Sequence, residues 1–189
     1  IDPSGYATQL EHKCTTISER FSALGAPAPV VFTSPTQHFR MRAEFRIWHH
    51  KAASDGLEES HCYYAMFDPD HPREPIRIDR FPIASTAIYA LMQPLMSDIN
   101  RDIALSKKLF QMEFLSSTLN QVVVTMIYHR QLDDEWKLSA NKLENRYGIS
   151  IIGRARKQKI VLSKDYVKEK LVVQEREFFY EQKENSFTP

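Results

Sequence analysis

Apolar and polar side chains alternate most sharply between His38 and His49. There Phe39, Met41, Ala43, Phe45 and Ile47 fall on one face, and Arg40, Arg42, Glu44, Arg46 and Trp48 on the other. A period of two predicts a half-buried strand. Its outward face would carry three guanidiniums, one carboxylate and an indole. Two readings are open. The strand is a solvated sheet edge whose charges keep it soluble, or it is a surface for phosphate and base. The guanidinium fork fits phosphate, and an exposed ring can stack on a base.

Helical periodicity predicts a first helix over 6–24, with Leu10, Ile17, Phe21 and Leu24 on one stripe. Gly25 and the Pro27, Pro29 pair stop it. After the Arg-rich strand, 49–60 is polar and reads as a hairpin connection. Two short strands are expected over 62–67 and 75–81, around the turn-rich Asp68-Pro69-Asp70-His71-Pro72, so that an antiparallel meander forms. The span 84–96 reads as a helix with Ser85 as N-cap, buried Ile88, Leu91, Met92 and Leu95, and a kink in its last turn at Pro94. A short helical piece follows over 100–108. Strands are expected over 109–115 and 121–129, the second β-branched like a central strand.

The clearest helix spans 133–147. Asp133 can cap it, acidic residues fill its first turn, Trp136, Ala140, Leu143 and Tyr147 share a face, and Gly148 supplies a left-handed stop. Strands over 149–153 and 159–162 and an alternating pair near 170–174 and 177–181 complete the pattern. The fold class expected is α+β, a mostly antiparallel sheet with about three or four helices.

Composition narrows the function without naming it. The 189 residues are 42% hydrophobic and 26% charged with a net charge of +1, so bulk electrostatics do not announce a polyanion partner. No apolar run reaches the length of a membrane span. Cys14 and Cys62 are too few for a disulfide framework or a zinc site, and reduced thiols in a cytoplasm are the simplest reading. Five glycines argue against a Rossmann-type cofactor domain. There is no Gly-rich phosphate loop, no His-Glu-x-x-His and no nucleophile elbow. His49, His50 and His61 lack a matching carboxylate or thiol spacing for a metal. The opening Ile1-Asp2-Pro3, without Met, reads as the remnant of a tag over 1–5.

Basic and aromatic residues interleave at several places. Gly153-Arg154-Ala155-Arg156-Lys157-Gln158-Lys159 holds four positive charges in seven residues, Arg77 and Arg80 flank a third strand, and Tyr128-His129-Arg130 closes the central one. Such clusters are the electrostatic footprint of nucleic-acid binding, and the accompanying aromatics favour single-stranded or looped RNA. The competing reading is a scatter of solvated charges.

The stretch Phe39-Arg40-Met41-Arg42-Ala43-Glu44-Phe45-Arg46-Ile47-Trp48-His49 resembles the signature strand of the bacterial tRNA (uracil-5-)-methyltransferases, which form ribothymidine in the T loop of tRNA. Lys108-Leu109-Phe110-Gln111, Tyr128-His129, Leu132-Asp133-Asp134-Glu135-Trp136, Ile152-Gly153-Arg154-Ala155 and Glu184-Asn185-Ser186-Phe187-Thr188 occur in the family's order and at similar spacing. The resemblance covers essentially all of the chain past the first helix. One departure is visible: the family pattern continues Ser-Phe-Thr-Gln-Pro-Asn, whereas here Pro189 follows Thr188, which puts in doubt a contact that the Gln would make to the target uracil.

The resemblance implies that this chain is the N-terminal, RNA-gripping part of such an enzyme. Residues 6–183 would be the RNA-binding region and 184–189 the start of a linker to a cofactor domain. The family's chemistry needs a cysteine thiolate that attacks C6 of a flipped uracil, S-adenosylmethionine as methyl donor and a general base. None of these is expected in this chain, so it should be inactive alone, bind no S-adenosylmethionine and hold no metal. Its partner would be the tRNA T arm, bound as a cytoplasmic monomer. By the resemblance Arg46 binds the T arm, Phe110 stacks on bases of the rearranged loop, His129 makes a further loop contact and Phe187 lies beside the target-base pocket. Charge and exposure add Arg42, Trp48, Arg154 and Arg156. Without the resemblance, Leu109, Met112 and Phe114 could pack around Phe110 as a core aromatic. The alternative function is a free-standing RNA-binding module without catalytic activity.

Overall fold

The structure is a computed structural model, and it describes residues 3–50 and 61–186. After a 3-10 turn at Pro3–Gly5 comes α1 (Tyr6–Ser22), then β1 (Arg42–His49), β2 (Cys62–Asp68) and β3 (His71–Arg77). Helices α2 (Thr86–Arg101) and α3 (Ile103–Ser106) lead to β4 (Leu109–Ser116) and β5 (Val122–Tyr128). Then follow α4 (Asp134–Tyr147), β6 (Ser150–Ala155), β7 (Gln158–Val161), β8 (Tyr166–Val173) and β9 (Arg176–Lys183). Seven strands form one sheet in the order β3-β2-β1-β4-β5-β6-β7, and β8-β9 form a separate two-stranded sheet. Every pairing is antiparallel except β5 with β6, which α4 connects as a parallel crossover. This is the expected α+β class.

Helices cover one face of the sheet. Ala43, Phe45 and Ile47 of β1 point into it, as their alternation required. Phe45 meets Phe81 at 5.1 Å and Tyr64 at 5.3 Å between ring centres, in tilted or edge-on arrangements. Helix α2 lays Ile88, Leu91, Met92, Leu95, Met96 and Ile99 on this layer. Its N-cap is Ser85, whose Oγ accepts from the Ile88 N–H at 3.3 Å. Instead of ending at Met96, α2 runs on to Arg101, because Leu95, Met96 and Ile99 bury beyond the proline. Helix α4 behaves as its sequence demands: Asp133 accepts from the Trp136 N–H at 2.8 Å, and Gly148 (φ 62) closes the last turn. Trp136 fills the space left by Gly153, where a Cβ would lie 2.5 Å from Leu132 Cδ1 and 2.7 Å from Trp136 Cζ2.

Several expectations need correction. β1 is not an edge: β2 and β4 flank it, which removes the edge-strand reading. Phe39 lies before the ladder begins at Arg42 and is exposed. The turn before β3 is only Pro69-Asp70, so β3 begins at His71 and ends at Arg77; its two prolines are tolerated because β3 is one of the sheet's two edges. β8 starts at Tyr166, earlier than its alternation suggested, since Val167 buries against Leu115, Val123 and Ile152 on the second sheet face. No residue of α1 is buried, so its apolar stripe does not join the core. The 51–60 part of the expected hairpin connection lies outside the described residues; β1 and β2 do pair as antiparallel neighbours.

Candidate nucleic-acid interface

The second face of the sheet carries the charge. Strand register sets Arg77 opposite Ala65, Ala65 opposite Arg46, Arg46 opposite Gln111, Gln111 opposite Ile127, Ile127 opposite Arg154 and Arg154 opposite Lys159. One transverse row therefore crosses all seven strands and holds four cations drawn from distant parts of the sequence. Opposed residues of paired strands share a face, so these side chains project together.

Three of the four cations have carboxylate partners. Arg77 pairs with Asp79 at 2.8 Å, Arg154 with Glu184 at 2.5 Å, and Lys159 with Glu184 at 2.7 Å and Asp165 at 3.3 Å. Among the described residues Arg46 has no ion pair. Its guanidinium instead covers the Phe110 ring, with Cζ 4.0 Å from the ring centre. On Phe110 also lies His129, ring centres 3.9 Å apart and planes within 25°. Arg46 and His129 are exposed and Phe110 is half-buried. A cation and two rings from β1, β4 and the end of β5 thus form one contiguous stacking surface.

A bulge makes this possible. Gln111 pairs with Ile127 and Leu109 with Tyr128, leaving Phe110 as the extra residue between them. Simple alternation would send Phe110 inward beside Met112 and Phe114. The bulge instead turns Phe110 and Gln111 both to the open face, while Leu109 and Met112 stay buried. His49 supports it: its Nε2 donates to the Leu109 carbonyl at 2.7 Å. Sequence reasoning considered His49 only as a metal ligand and missed this; its place at the end of the signature strand was the available signal.

The remaining candidates separate into groups. Trp48 is exposed and meets Phe67 edge-on at 5.9 Å on the same face. Arg42 donates to the Glu184 carbonyl at 2.7 Å and the Ser186 carbonyl at 3.1 Å, and Arg154 holds the Glu184 side chain. These two arginines therefore pin residues 184–186 to the sheet. Burial, the largest single influence, raises the Glu184 carboxyl, but the bonds from Lys159 and Arg154 outweigh it and hold the group below its ordinary range. Arg156 is exposed at the β6-β7 turn, where its carbonyl accepts from Gln131 Nε2 at 3.0 Å. Phe187 lies outside the described residues. Of the Tyr128-His129-Arg130 group only His129 is presented: Tyr128 is buried and donates to the Leu105 carbonyl, and Arg130 is spent on the Lys107 and Gln131 carbonyls and on Asp133.

Glu184, Gln111 and Glu113 were not singled out from the sequence. Glu113 is half-buried directly opposite Glu44; desolvation first, then the Glu44 and Glu184 charges, raise its carboxyl against the hydrogen bond from Gln111 and the charge of Arg154. Cys62 is buried beside Met96 and Asn100, and burial pushes its thiol up to about 11, the opposite of an activated nucleophile. Among the described residues no group of three or more His, Cys, Asp or Glu side chains could hold a metal ion. No helix there is long and apolar enough to cross a membrane.

By class this is an α+β domain with one sheet face covered by helices and the other cation-lined and partly open. Its sequence matches the family described as tRNA (Uracil-5-)-methyltransferase over residues 5–189, and the chain belongs to that family. It is 45% identical over 192 residues to a tRNA/tmRNA (uracil-C(5))-methyltransferase of Chromohalobacter salexigens, covering 100% of this chain and 49% of that protein. A protein of the same description from Pseudomonas fluorescens is 46% identical over 188 residues, with 100% and 50% covered. The chain thus spans about half the length of the curated relatives it matches. The crystal structure of Pyrococcus abyssi tRNA (uracil-54, C5)-methyltransferase in complex with S-adenosyl-L-homocysteine superposes with a TM-score of 0.58 at 18% identity. That superposition covers 97% of this chain and 44% of that one, a likeness of fold.

Proposed function

We propose that this chain is the RNA-gripping half of an S-adenosylmethionine-dependent tRNA (uracil-5-)-methyltransferase, and that it holds the T arm of tRNA while the uracil is methylated elsewhere in the longer protein. The observation that carries this reading is the Arg46-Phe110-His129 column. A cation with no carboxylate partner among the described residues, beside two stacked rings on an open sheet face, suits a phosphate and an unstacked base at once. The match over residues 5–189 supports the enzyme family, and the names of the relatives support tRNA as substrate.

Within the site the roles divide by geometry. Arg46 neutralises a backbone phosphate, and the column it builds with Phe110 and His129 offers a stacking surface to a loop base, the Phe110 ring itself being held between the other two. Trp48, stacked edge-on against Phe67, extends that apolar surface, and Arg156 adds a peripheral charge. Arg42 and Arg154 act through Glu184: they fix the segment that leads to Phe187. S-adenosylmethionine supplies the methyl group when bound to the whole enzyme. The residues here do not fit it: the four described glycines, Gly5, Gly25, Gly148 and Gly153, lie far apart in the chain, and none forms a glycine-rich turn between a strand and a helix that would cradle it. We assign cofactor binding, the nucleophile and the general base to the half of the longer relatives that this chain does not span.

The test is direct. Incubated with a T-arm hairpin RNA and labelled S-adenosylmethionine, this chain should retain the hairpin and incorporate no label. Label in the RNA, or no retention of the hairpin, would contradict the proposal.

A further inference from the structure

A face that only gripped phosphate would exclude carboxylates, yet Glu113 and Glu44 sit opposite one another in the register row next to Arg46 and Gln111. Like charges directly opposed across strands are destabilising. Among the described residues neither carboxylate forms an ion pair, although Arg46 and Arg154 stand close in the neighbouring row. The one hydrogen bond to the Glu113 side chain among the described residues comes from Gln111 Nε2, at 2.8 Å to Oε1. Glu113 Oε2 and Gln111 Oε1 are left as acceptors. The bulge turns Phe110 to the face on which Gln111 and Glu113 already lie, so these acceptors share the open face with the stacked column.

We infer that Gln111 and Glu113 determine specificity by reading the edge of a base that stacks on the Arg46-Phe110-His129 column, through adjacent N–H donors such as the N1–H and N2 amino group of guanine. This rests on the RNA-binding reading above and adds to it a residue-level choice of base. Two side-by-side acceptors match two side-by-side donors. Uracil, cytosine and adenine each present only one donor position on that edge, with an acceptor beside it. The Gln111 bond fixes the Glu113 carboxylate before binding, which lowers the cost of ordering it against the base. Burial disfavours the charged carboxylate, which makes an unpaired state costly and a matched donor correspondingly favourable.

The sign of one substitution separates the two roles a carboxylate can have here. Glu113→Gln removes a negative charge, so binding to a sequence-blind polyanion such as heparin should tighten or stay unchanged. Binding to a guanine-containing T-arm hairpin should instead weaken by at least about tenfold, because the charge-assisted bond is lost. In the unaltered protein, replacing each loop guanine in turn with inosine, which lacks the N2 amino group, should weaken binding at one position; with Glu113→Gln the same replacement should cost little. The inosine series uses the unaltered chain and does not depend on how the variant folds. Tightening of the hairpin by Glu113→Gln to the same extent as heparin, or indifference to inosine at every position, would overturn the inference while salt-sensitive hairpin binding left the RNA-gripping role standing. Absence of any hairpin binding would overturn both.

Discussion

The Arg46 guanidinium lies 4.0 Å from the centre of the Phe110 ring, although the two residues sit on different strands and share no directly opposed position. Arg46 faces Gln111, and the bulge brings Phe110 alongside. Each residue orders the other: the ring limits the rotamers of a long side chain, and the cation covers a ring that would otherwise meet water.

Arg46→Ala and Phe110→Ala should therefore each weaken T-arm binding by about 1–3 kcal/mol, roughly 5- to 150-fold. The double variant should lose less than the sum, because the two groups touch. Fluorescence anisotropy with a labelled hairpin measures all three. Strict additivity would mean that they act on separate parts of the RNA.

His49 should act as a positioning residue. His49→Ala frees the Leu109 carbonyl and loosens the bulge that aims Phe110. The expected result is a loss of roughly 1 kcal/mol in RNA affinity with a smaller change in melting temperature. If Phe110→Ala is already present, His49→Ala should add almost nothing to the affinity loss. An undiminished effect in that background would show that His49 contacts RNA itself.

Gly153→Ala tests the packing of the covered face. The added methyl would meet Trp136 Cη2 and Leu132 Cδ1 within van der Waals contact, and Trp136 is fully buried. A destabilisation of about 1–3 kcal/mol is expected from overpacking, read as a lower urea midpoint at unchanged slope. RNA affinity per folded molecule should hold, since the proposed site lies on the opposite face.

Much of this architecture was legible from local signals. The alternation of β1 and the capping of α4 by Asp133 and Gly148 depend on residues near one another in the chain; α4 formed as expected, and β1 did so from Arg42 onward. What depended on remote partners was hidden. The bulge at Phe110 needs the pairing of Leu109 with Tyr128 and the reach of His49, so spacing alone favoured a core ring. The β8-β9 turn puts Gln174 and Glu175 at positive φ, without the Asn or Gly that announces such a turn. Arg42 and Arg154 read as exposed charges because their partner, Glu184, is distant in sequence and its burial could not be seen. Of the charge clusters, the positions of Arg46, Arg77, Arg154 and Lys159 in one row follow from strand register and from nothing shorter-ranged.

Acid should reveal the Glu184 clamp. Its carboxyl is held below the ordinary value of 4.5, so its pairing contributes stability above that pH and loses it as pH falls through the lower folded value. Glu113, raised by burial, has the opposite sign: its contribution is full below 4.5 and fades as pH rises through its folded value. Comparing the parent with Glu184→Gln isolates the first. The variant should be less stable by about 1–3 kcal/mol at pH 7, and the gap should narrow on acidification below 4.5. Thermal melts across that range are the measurement, and a gap that stays constant would mean the pairs with Arg154 and Lys159 contribute nothing.

The central claim is that the open sheet face grips the RNA backbone through Arg46 beside a stacking column. Measuring T-arm hairpin affinity against salt concentration tests it most directly. The expected result is an affinity that falls linearly with salt on logarithmic axes, with the slope reduced by about 1 in Arg46→Ala. An affinity indifferent to salt, or a slope unchanged by removing Arg46, would contradict it.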